Sequence, residues 1–239
     1  MPHFYIEKDN INDDIITISD VDLIRHLVSA LRIRQGEIIK FIDENEIVYK
    51  SEILSADKKL IKAQILENEK SKRKLDFELY LAQSILRGDA QNLAISNAVQ
   101  AGVKGIYPVI SDNCAVKPSK NIDKFQKIAD ESFKQCERAD RAIIFDIDKL
   151  VNVTKNFDKV IVFAEKYSNV SLKSALKYYN KSEKLLVVIG PEGGFSEKEF
   201  DFFKKQNYAL VSLGNLIYKA PNAIVAGISN IIYELNNER

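Results

Sequence analysis

The 239-residue sequence predicts an α/β protein made of a small β-rich domain and a larger domain of alternating strands and helices. Its first seventy residues contain short apolar stretches separated by polar turns. From about residue 77, strand-length apolar runs alternate with helix-length amphipathic segments, a pattern typical of a mostly parallel sheet covered on both faces. The charged stretch 67–76 reads as a linker. We therefore place the boundary near residue 72, with domains at 1–70 and 75–239.

In the first domain, period-two alternation and β-branched residues predict the strands of a small antiparallel barrel. These strands cover 4–6, 15–18, 38–42, 47–49, 51–54 and 60–66. One helix interrupts them, because Ser19 or Asp20 can cap a segment with apolar residues at helical spacing. The apolar residues of this helix are Leu23, Leu27, Val28 and Leu31.

In the second domain, strands are predicted at 77–86, 103–110, 142–145, 160–164, 185–189 and 209–213. Helices are predicted at 89–101, 122–139, 171–179, 197–206 and 223–235. Ligands of such sheets bind beyond the carboxyl ends of the strands. We expect the functional site there.

Composition restricts the function. No apolar run approaches the roughly 18 residues of a membrane span, and the start of the chain lacks a signal-peptide pattern, so we expect a cytoplasmic protein with no membrane contact. Two cysteines and two histidines are too few for a disulfide framework or a convincing zinc site, and we expect no metal. With a net charge of +1, RNA binding would have to rely on local basic patches.

The glycine-rich turn Gly190–Gly194 follows the most apolar predicted strand and precedes a helix whose start, Ser196–Glu199, fits a capping box. Its glycines permit positive φ and close approach of a ligand, and the helix start presents free N–H groups. It matches neither the phosphate-loop pattern nor the dinucleotide fingerprint. A tight turn that simply requires glycine is the alternative.

A second loop, 212–219, also follows a predicted strand and contains a glycine. It keeps Leu216 and Ile217 apolar at positions where a loop is normally polar. Two such loops at adjacent strand ends could hold a flat heterocycle such as adenine between backbone groups and apolar walls.

At this point the sequence resembles a known family. IGPEGGFSEKE followed by LGNLIYKAPNA is similar to the carboxyl-terminal signature of the SPOUT methyltransferases that methylate N3 of a uridine in 16S ribosomal RNA. The supporting segments are MPHFYIE, HLVSALRIRQGE, Leu86–Asp89, AVQAGVKGIYPVIS and Gln135–Arg138. The resemblance covers essentially the whole chain.

The resemblance implies a PUA-like amino-terminal β-barrel and a carboxyl-terminal SPOUT α/β domain tied in a deep trefoil knot. It also implies S-adenosylmethionine as methyl donor and a homodimer with the active site at the subunit interface. Because the target base must leave its stack to be methylated, we expect the assembled small ribosomal subunit to be the substrate.

The resemblance also implies roles for individual residues. A cofactor pocket would be lined by Phe163, Ala164, Glu165, Gly190, Pro191, Glu192, Gly193, Gly194, Leu213, Gly214, Leu216 and Ile217. Arg87 and Arg138 match basic positions that the family places towards RNA or the target base. Apart from the resemblance, Arg25, His26, Arg32 and Arg34, near the exposed face and end of the helix in the first domain, are our candidates for contacting RNA. For the chemistry, our own hypothesis is that Arg138 or Lys219 stabilises charge on the uridine and Asn222 orients its imide edge, with Glu192 as a further candidate near the cofactor. Plain surface solvation is the alternative for Arg87 and Arg138, and a helix-surface role for His26.

The sequence also departs from the family pattern. Where the family reads L-R-T-E-T-A, this chain has Tyr218–Ala223, so lysine replaces the arginine and Pro221 the glutamate. The motifs E-L-G-V and E-Q-C-G-R appear as Gln100–Val103 and Lys134–Arg138. Proline cannot act as a carboxylate base, and lysine loses the two-point fork of arginine. Two alternatives therefore stay open: methylation of a ribose 2′-hydroxyl or another base, and a non-catalytic RNA-binding or ribosome-assembly factor.

Overall fold

The computed structural model describes residues 3–115 and 122–236. The chain forms two compact units. The first takes in the chain up to Lys74 together with Phe133–Arg141, and the second comprises Leu75–Ser132 and the chain from Ala142 onward. Phe133–Arg141 had been predicted as part of the second domain. It joins the first unit because the Phe133 ring packs on those of His3 and Tyr5, with centroid distances of 5.1 and 6.3 Å.

The first unit contains a six-stranded sheet in the order β1-β4-β5-β6-β3-β2. Its strands are β1 His3–Tyr5, β2 Ile11–Asn12, β3 Ile15–Ile18, β4 Ile38–Ile42, β5 Ile47–Ala56 and β6 Ile61–Lys70. The pairs are antiparallel apart from β1 with β4, which is parallel. Ile16, Phe41 and Ile53 are fully buried in its core.

Two strand predictions in this unit need correction. Residues 47–49 and 51–54 form the single strand β5, because a register shift between Lys50 and Ser51 absorbs the break in alternation. Residues 67–70, predicted as linker, belong to β6. Their charged side chains are compatible with a strand because they lie on an exposed part of the hairpin, where Lys50 pairs with Glu67 at 2.9 Å.

The predicted helix is present but irregular. It begins as α1 Val21–Ile24, capped by Asp20, whose Oδ1 accepts the Leu23 N–H at 2.7 Å. It continues as a π-helical segment, Arg25–Ala30. Leu31, which was expected on the apolar face, lies beyond the helix and is exposed. Leu27 is the fully buried anchor of this segment.

The second unit contains a seven-stranded sheet in the order β10-β8-β7-β12-β11-β13, with β9 also paired to β8. Its strands are β7 Leu79–Ser84, β8 Gly105–Ile110, β9 Ile143–Ile144, β10 Asp148–Lys149, β11 Lys159–Phe163, β12 Leu185–Ile189 and β13 Ala209–Val211. Every pair is parallel, which confirms the predicted sheet type. β10 was missed because two charged residues give no strand signal.

Helices cover both faces of this sheet, as predicted. The helices after β7 are α2 Asp89–Gln100, α3 Ile122–Cys136, α4 Leu150–Thr154, α5 Leu172–Leu176, α6 Glu197–Lys205 and α7 Ala220–Asn236. The end of α3, from Phe133, belongs to the first unit. Leu186 and Val188 of β12 share one apolar cluster with residues of α4 and α6. On the opposite face β12 contacts α7, which also packs against α2. Among the described residues, no helix is both long and apolar enough to cross a membrane.

α7 begins three residues earlier than predicted. Ala220, Pro221 and Asn222, expected in a loop, form its first turn. Proline is well suited there, because its fixed φ is helical and its missing N–H would have no intrahelical acceptor. The carbonyl of Lys219 accepts the N–H groups of Asn222 and Ala223, each at 2.9 Å. Pro221 is therefore a residue of the helix start.

The close approach of α7 to β11 yields a test of this packing. A Cβ at Gly227 would lie 2.9 Å from both Cδ2 and Cζ of Phe163, and nearer still to Cε2. An exposed helical Gly→Ala change stabilises by about 0.5–1 kcal/mol, whereas overpacking costs about 1–3 kcal/mol. We expect Gly227→Ala to lower the free energy of unfolding, measured by urea denaturation.

Ser229→Ala, on the exposed side of α7, is the matched control and should change stability little. In a double-mutant cycle, Gly227→Ala should cost less when combined with Phe163→Ala, because the clashing ring is gone. A Gly227→Ala protein as stable as the wild type would contradict this account.

Candidate active site

A cavity of about 1020 Å³ opens at the carboxyl edge of the parallel sheet of the second unit. Its walls come from segments that follow four neighbouring strands, β7, β12, β11 and β13, together with the starts of α2 and α7. The ends of these strands are in register, since Gln83 pairs with Ile189, Ile189 with Phe163 and Phe163 with Val211. The loops therefore leave the sheet at one level and enclose one space.

All twelve residues that the sequence proposed for a cofactor pocket lie in the walls of this cavity. Lys219 and Asn222, proposed for the chemistry, also line it. Leu216 and Ile217 are cavity residues as expected, but they are also strongly exposed, at 73% and 79%. In the single chain, this apolar wall is therefore open to solvent.

The glycine-rich turn has the geometry that its sequence suggested. Gly194 has a φ of +69° and donates its N–H to the Pro191 carbonyl at 2.9 Å, closing the turn. The predicted capping box of α6 is confirmed: Ser196 Oγ accepts the Glu199 N–H at 3.2 Å, and Glu199 Oε2 accepts the Ser196 N–H at 2.8 Å. The turn is thus held between a buried strand and a capped helix.

The second loop is shaped by Ser212 and Gly214. Ser212 Oγ accepts the Gly214 N–H at 3.1 Å and donates to the Gly214 carbonyl at 3.0 Å. Gly214 has a φ of +110°, a conformation that other residues rarely adopt. Gly190–Gly194 and residues 212–214 and 216–219 of the second loop all line the cavity.

Sequence reasoning missed the contribution of the β7–α2 connection to the cavity walls. Leu86, Asp89, Ala90 and Leu93 line the cavity. This connection is tied to the glycine-rich turn, because Glu192 Oε1 accepts the Arg87 N–H at 3.1 Å. The available signal was the position of α2 directly after a strand of a parallel sheet, where helix starts lie at the ligand edge.

Arg138 and Arg87 are not among the residues that line the cavity. Arg138 belongs to the first unit, is only 6% exposed, and forms a two-point ion pair with Asp140. Its Nε lies 3.1 Å from Asp140 Oδ1 and its Nη2 2.9 Å from Oδ2. This ion pair fixes the orientation of the Arg138 guanidinium, and a role for Arg138 in the chemistry stays a prediction. The Arg87 side chain is exposed.

The remaining basic residues proposed for RNA cluster around the π-helical segment of the first unit. Arg25, Arg32 and Arg34 are exposed, and His26 is partly buried with its ring centroid 5.7 Å from that of Phe4. Arg32 has a φ of +56°, which turns the chain sharply after the helix. π-Helical turns are rare and frequently occur at functional sites.

The ionisable residues of the cavity have both signs. Asp89, Glu165 and Glu192 contribute carboxylates, and Lys166 and Lys219 contribute ammonium groups. Within the described part of the chain, no group of three or more potential ligands could hold a metal ion. Backbone polar groups, apolar walls and a few charges suit an organic ligand with a flat ring and a charged end.

Fold and site together define an α/β protein with a ligand cavity at the carboxyl edge of a parallel sheet. Residues 73–232 match the RNA methyltransferase domain family, and residues 18–66 match the RNA methyltransferase PUA domain. Since the first match covers more than half of the sequence, the chain belongs to the RNA methyltransferase domain family.

Individual relatives agree over nearly their whole length. The chain is 26% identical over 223 residues to ribosomal RNA small subunit methyltransferase E of Bacillus subtilis, covering 88% of this chain and 87% of the relative. It is 27% identical over 244 residues to the protein of the same name from Buchnera aphidicola, covering 96% and 92%.

A solved structure has the same fold. The ribosomal RNA small subunit methyltransferase E from Neisseria gonorrhoeae, bound to S-adenosylmethionine, superposes with a TM-score of 0.86 at 23% identity. The match covers 98% of this chain and 97% of that one.

Glu199 precedes the cavity residue Phe200, and its carboxyl group makes the stability of the protein depend on pH. Burial raises the pKa of its carboxyl group, and the nearby Asp112 carboxylate also raises it. The N–H groups of Ser196 and Asp112 donate to the Glu199 carboxylate and lower this pKa, but the net shift is upward. The folded protein thus binds this proton more tightly than the unfolded chain does. The resulting stability is present at low pH and is lost as pH rises through the raised pKa.

Glu199→Gln removes this titration. We expect the free energy of unfolding of the wild type, minus that of Glu199→Gln, to decrease as the pH rises from 4.5 to neutral. Urea denaturation at a series of pH values measures the difference, and groups common to both proteins cancel. A difference that stays constant or grows with pH would contradict the raised pKa.

Proposed function

We propose that this chain transfers a methyl group from S-adenosylmethionine to N3 of a uridine in 16S ribosomal RNA of the assembled small ribosomal subunit. The observation that carries the proposal is the cavity built by both glycine loops at the ends of four neighbouring strands, in a member of the RNA methyltransferase domain family. Near full-length similarity to small subunit methyltransferases supports the choice of RNA.

The cavity residues fit the proposed cofactor. Backbone of Gly190–Gly194 and of 213–217 would hold the adenine ring by hydrogen bonds, with Phe163, Leu216 and Ile217 as apolar walls. Asp89, Glu165 and Glu192 are carboxylates suited to a positively charged ligand. When bound, the cofactor supplies an electrophilic methyl group on a sulfonium.

The chain's own residues would prepare the uridine. Its N3 proton is weakly acidic, so the cavity must stabilise negative charge on the base as the proton leaves. Lys219 is the cavity residue we assign to that charge, and Asn222 to the imide edge. Pro221 offers no carboxylate, and its carbonyl is already bound by Asn97 Nδ2 at 2.9 Å. Within this chain, the cavity carboxylates available to accept the proton are Asp89, Glu165 and Glu192.

RNA would also be bound outside the cavity. The exposed Arg25, Arg32 and Arg34, with His26, form a basic surface on the first unit, and the exposed Arg87 lies between the cavity residues Leu86 and Asp89 in the chain. Such groups contact phosphates and position the RNA, whereas the base is selected in the cavity. Acting on the small ribosomal subunit, the protein would work in the cytoplasm.

The charge proposal can be tested with Lys219. We expect Lys219→Ala to lower the single-turnover rate of methyl transfer to small ribosomal subunits by on the order of 10²-fold at saturating cofactor. Lys219→Arg keeps the charge and should retain more activity. Lys155→Ala, an exposed lysine outside the cavity, is the control. Equal rates for Lys219→Ala and the control would remove Lys219 from the mechanism.

Mass spectrometry of the product decides the reaction itself. N3-methyluridine in 16S ribosomal RNA is the expected product. A methyl group on a ribose 2′-hydroxyl or on another base would replace this proposal by a different methyltransferase activity. A protein that binds ribosomal subunits but no S-adenosylmethionine would instead be a non-catalytic assembly factor.

We further propose that the protein is a homodimer through the exposed side of α7. Val225 and Tyr233 lie eight residues apart, hence on one face, and are 42% and 66% exposed. The cavity residues Leu93, Leu216 and Ile217 are likewise apolar and exposed. A second copy would cover both groups and close the cavity, in keeping with an active site at a subunit interface.

Charge placed on α7 should break this interface. We expect Val225→Glu/Tyr233→Glu to sediment as a monomer at concentrations at which the wild type sediments as a dimer. Val21→Glu changes an exposed apolar residue of the first unit and serves as control. A wild type that sediments as a monomer, or a double variant that remains a dimer, would refute this interface.

A further inference from the structure

The loop that follows β8 contacts the glycine-rich turn directly. Asn113 Nδ2 donates to the carbonyl of Gly194 at 3.2 Å and to that of Gly193 at 3.4 Å. The contact is close, since a Cβ at Gly193 would lie 3.1 Å from Asn113 Cβ and 3.3 Å from its carbonyl oxygen. Gly193 therefore provides room for the β8 loop.

A second connection joins the same loop to the start of α6. Glu199 Oε1 accepts the Asp112 N–H at 3.1 Å, while its Oε2 accepts the Ser196 N–H. Ser196 Oγ donates to Asp112 Oδ2 at 2.6 Å. Glu199 is only 8% exposed, so both carboxylate oxygens are used where water has little access. One side chain thus caps α6 and holds the β8 loop.

Residues 111–114, the described start of this loop, are held by local hydrogen bonds. The Cys114 N–H donates to the Ser111 carbonyl at 3.2 Å, and the Ser111 N–H to Cys114 Sγ at 3.4 Å. β8 is separated from β12 by β7 in the sheet. The loop therefore crosses over the end of β7 to reach the turn, and none of residues 111–114 lines the cavity.

We propose that Asn113, together with the Asp112–Ser196–Glu199 network, is a positioning group that presets the glycine-rich turn for cofactor binding. The inference rests on the proposed function for its ligand. Gly190–Gly194 contains three glycines and would otherwise sample many backbone conformations. Hydrogen bonds to the carbonyls of Gly193 and Gly194 fix those two peptide planes before the ligand arrives. Cofactor binding is then not weakened by the conformational entropy that a flexible turn would lose on becoming ordered.

Binding measurements test this role. We expect Asn113→Ala to raise the Kd for S-adenosylmethionine, measured calorimetrically on the full chain, by about 5- to 20-fold. The KM for the cofactor should rise in parallel, with kcat at saturating cofactor within about twofold of the wild type. Asn113→Asp sets a negative charge against two carbonyl oxygens and should bind at least as weakly as Asn113→Ala.

The matched control is Asn156→Ala. Asn156 is also exposed, and its Nδ2 also donates to a backbone carbonyl, that of Asn152, at 3.4 Å. Asn156 lies outside the cavity walls, so the Kd of Asn156→Ala for S-adenosylmethionine should equal that of the wild type. An unchanged Kd for Asn113→Ala would overturn the proposal.

Amide hydrogen exchange separates failure of this inference from failure of the proposed function. In protein without ligand, the peptide covering 190–195 should exchange faster in Asn113→Ala than in the wild type or Asn156→Ala. If the wild type binds no S-adenosylmethionine, the proposed function fails. The exchange rates of the ligand-free proteins still show whether Asn113 restrains the glycine-rich turn. Equal exchange in all three proteins would show that the turn keeps its conformation without Asn113.

Discussion

The site depends on the complete burial of β12. Its five residues, Leu185–Ile189, lie between β7 and β11 with helices on both faces, and none is more than 3% exposed. A strand enclosed in this way cannot shift register without exposing apolar side chains or losing hydrogen bonds on both edges. Gly190 is the first residue after β12, so the buried strand fixes the position at which the glycine-rich turn begins. The same register brings Phe163 and Val211 to the level of Ile189.

The glycines around the cavity serve two different physical needs. Gly194 and Gly214 have open space where a Cβ would be, and what they supply is positive φ. Gly193 and Gly227 have neighbours close to the Cβ position, Asn113 and Phe163 respectively, and what they supply is room. The first pair shapes the loops, and the second lets the β8 loop and α7 approach the sheet closely. Sequence alone could not separate these needs, because spacing between glycines carries no information about neighbours.

Elements whose signal is local were predictable. β12 has the bounds that its apolar run suggested, and α6 starts at the predicted capping box. Elements that depend on partners were not: 67–70 are strand because they pair with β5, and Phe133–Arg141 joins the first unit through ring contacts. That the two glycine loops line a cavity could be predicted from sequence. The place of Asp89 and Leu93 in its walls, and the contact of Asn113 with the glycine-rich turn, depend on the sheet order. The trefoil knot implied by the resemblance stays a prediction.

The departure at 218–223 alters the chemistry of the site more than its architecture. Pro221 is buried in the first turn of α7, where it satisfies the requirements of a helix start and offers its carbonyl to Asn97. Lys219, just before this turn, and Asn222, within it, both line the cavity. The scaffold that a cofactor would need is thus intact without the glutamate of the family pattern. Under the proposed function, a group other than residue 221 accepts the proton that leaves the uridine, and the ammonium group of Lys219 stabilises the charge on the base without a carboxylate at 221.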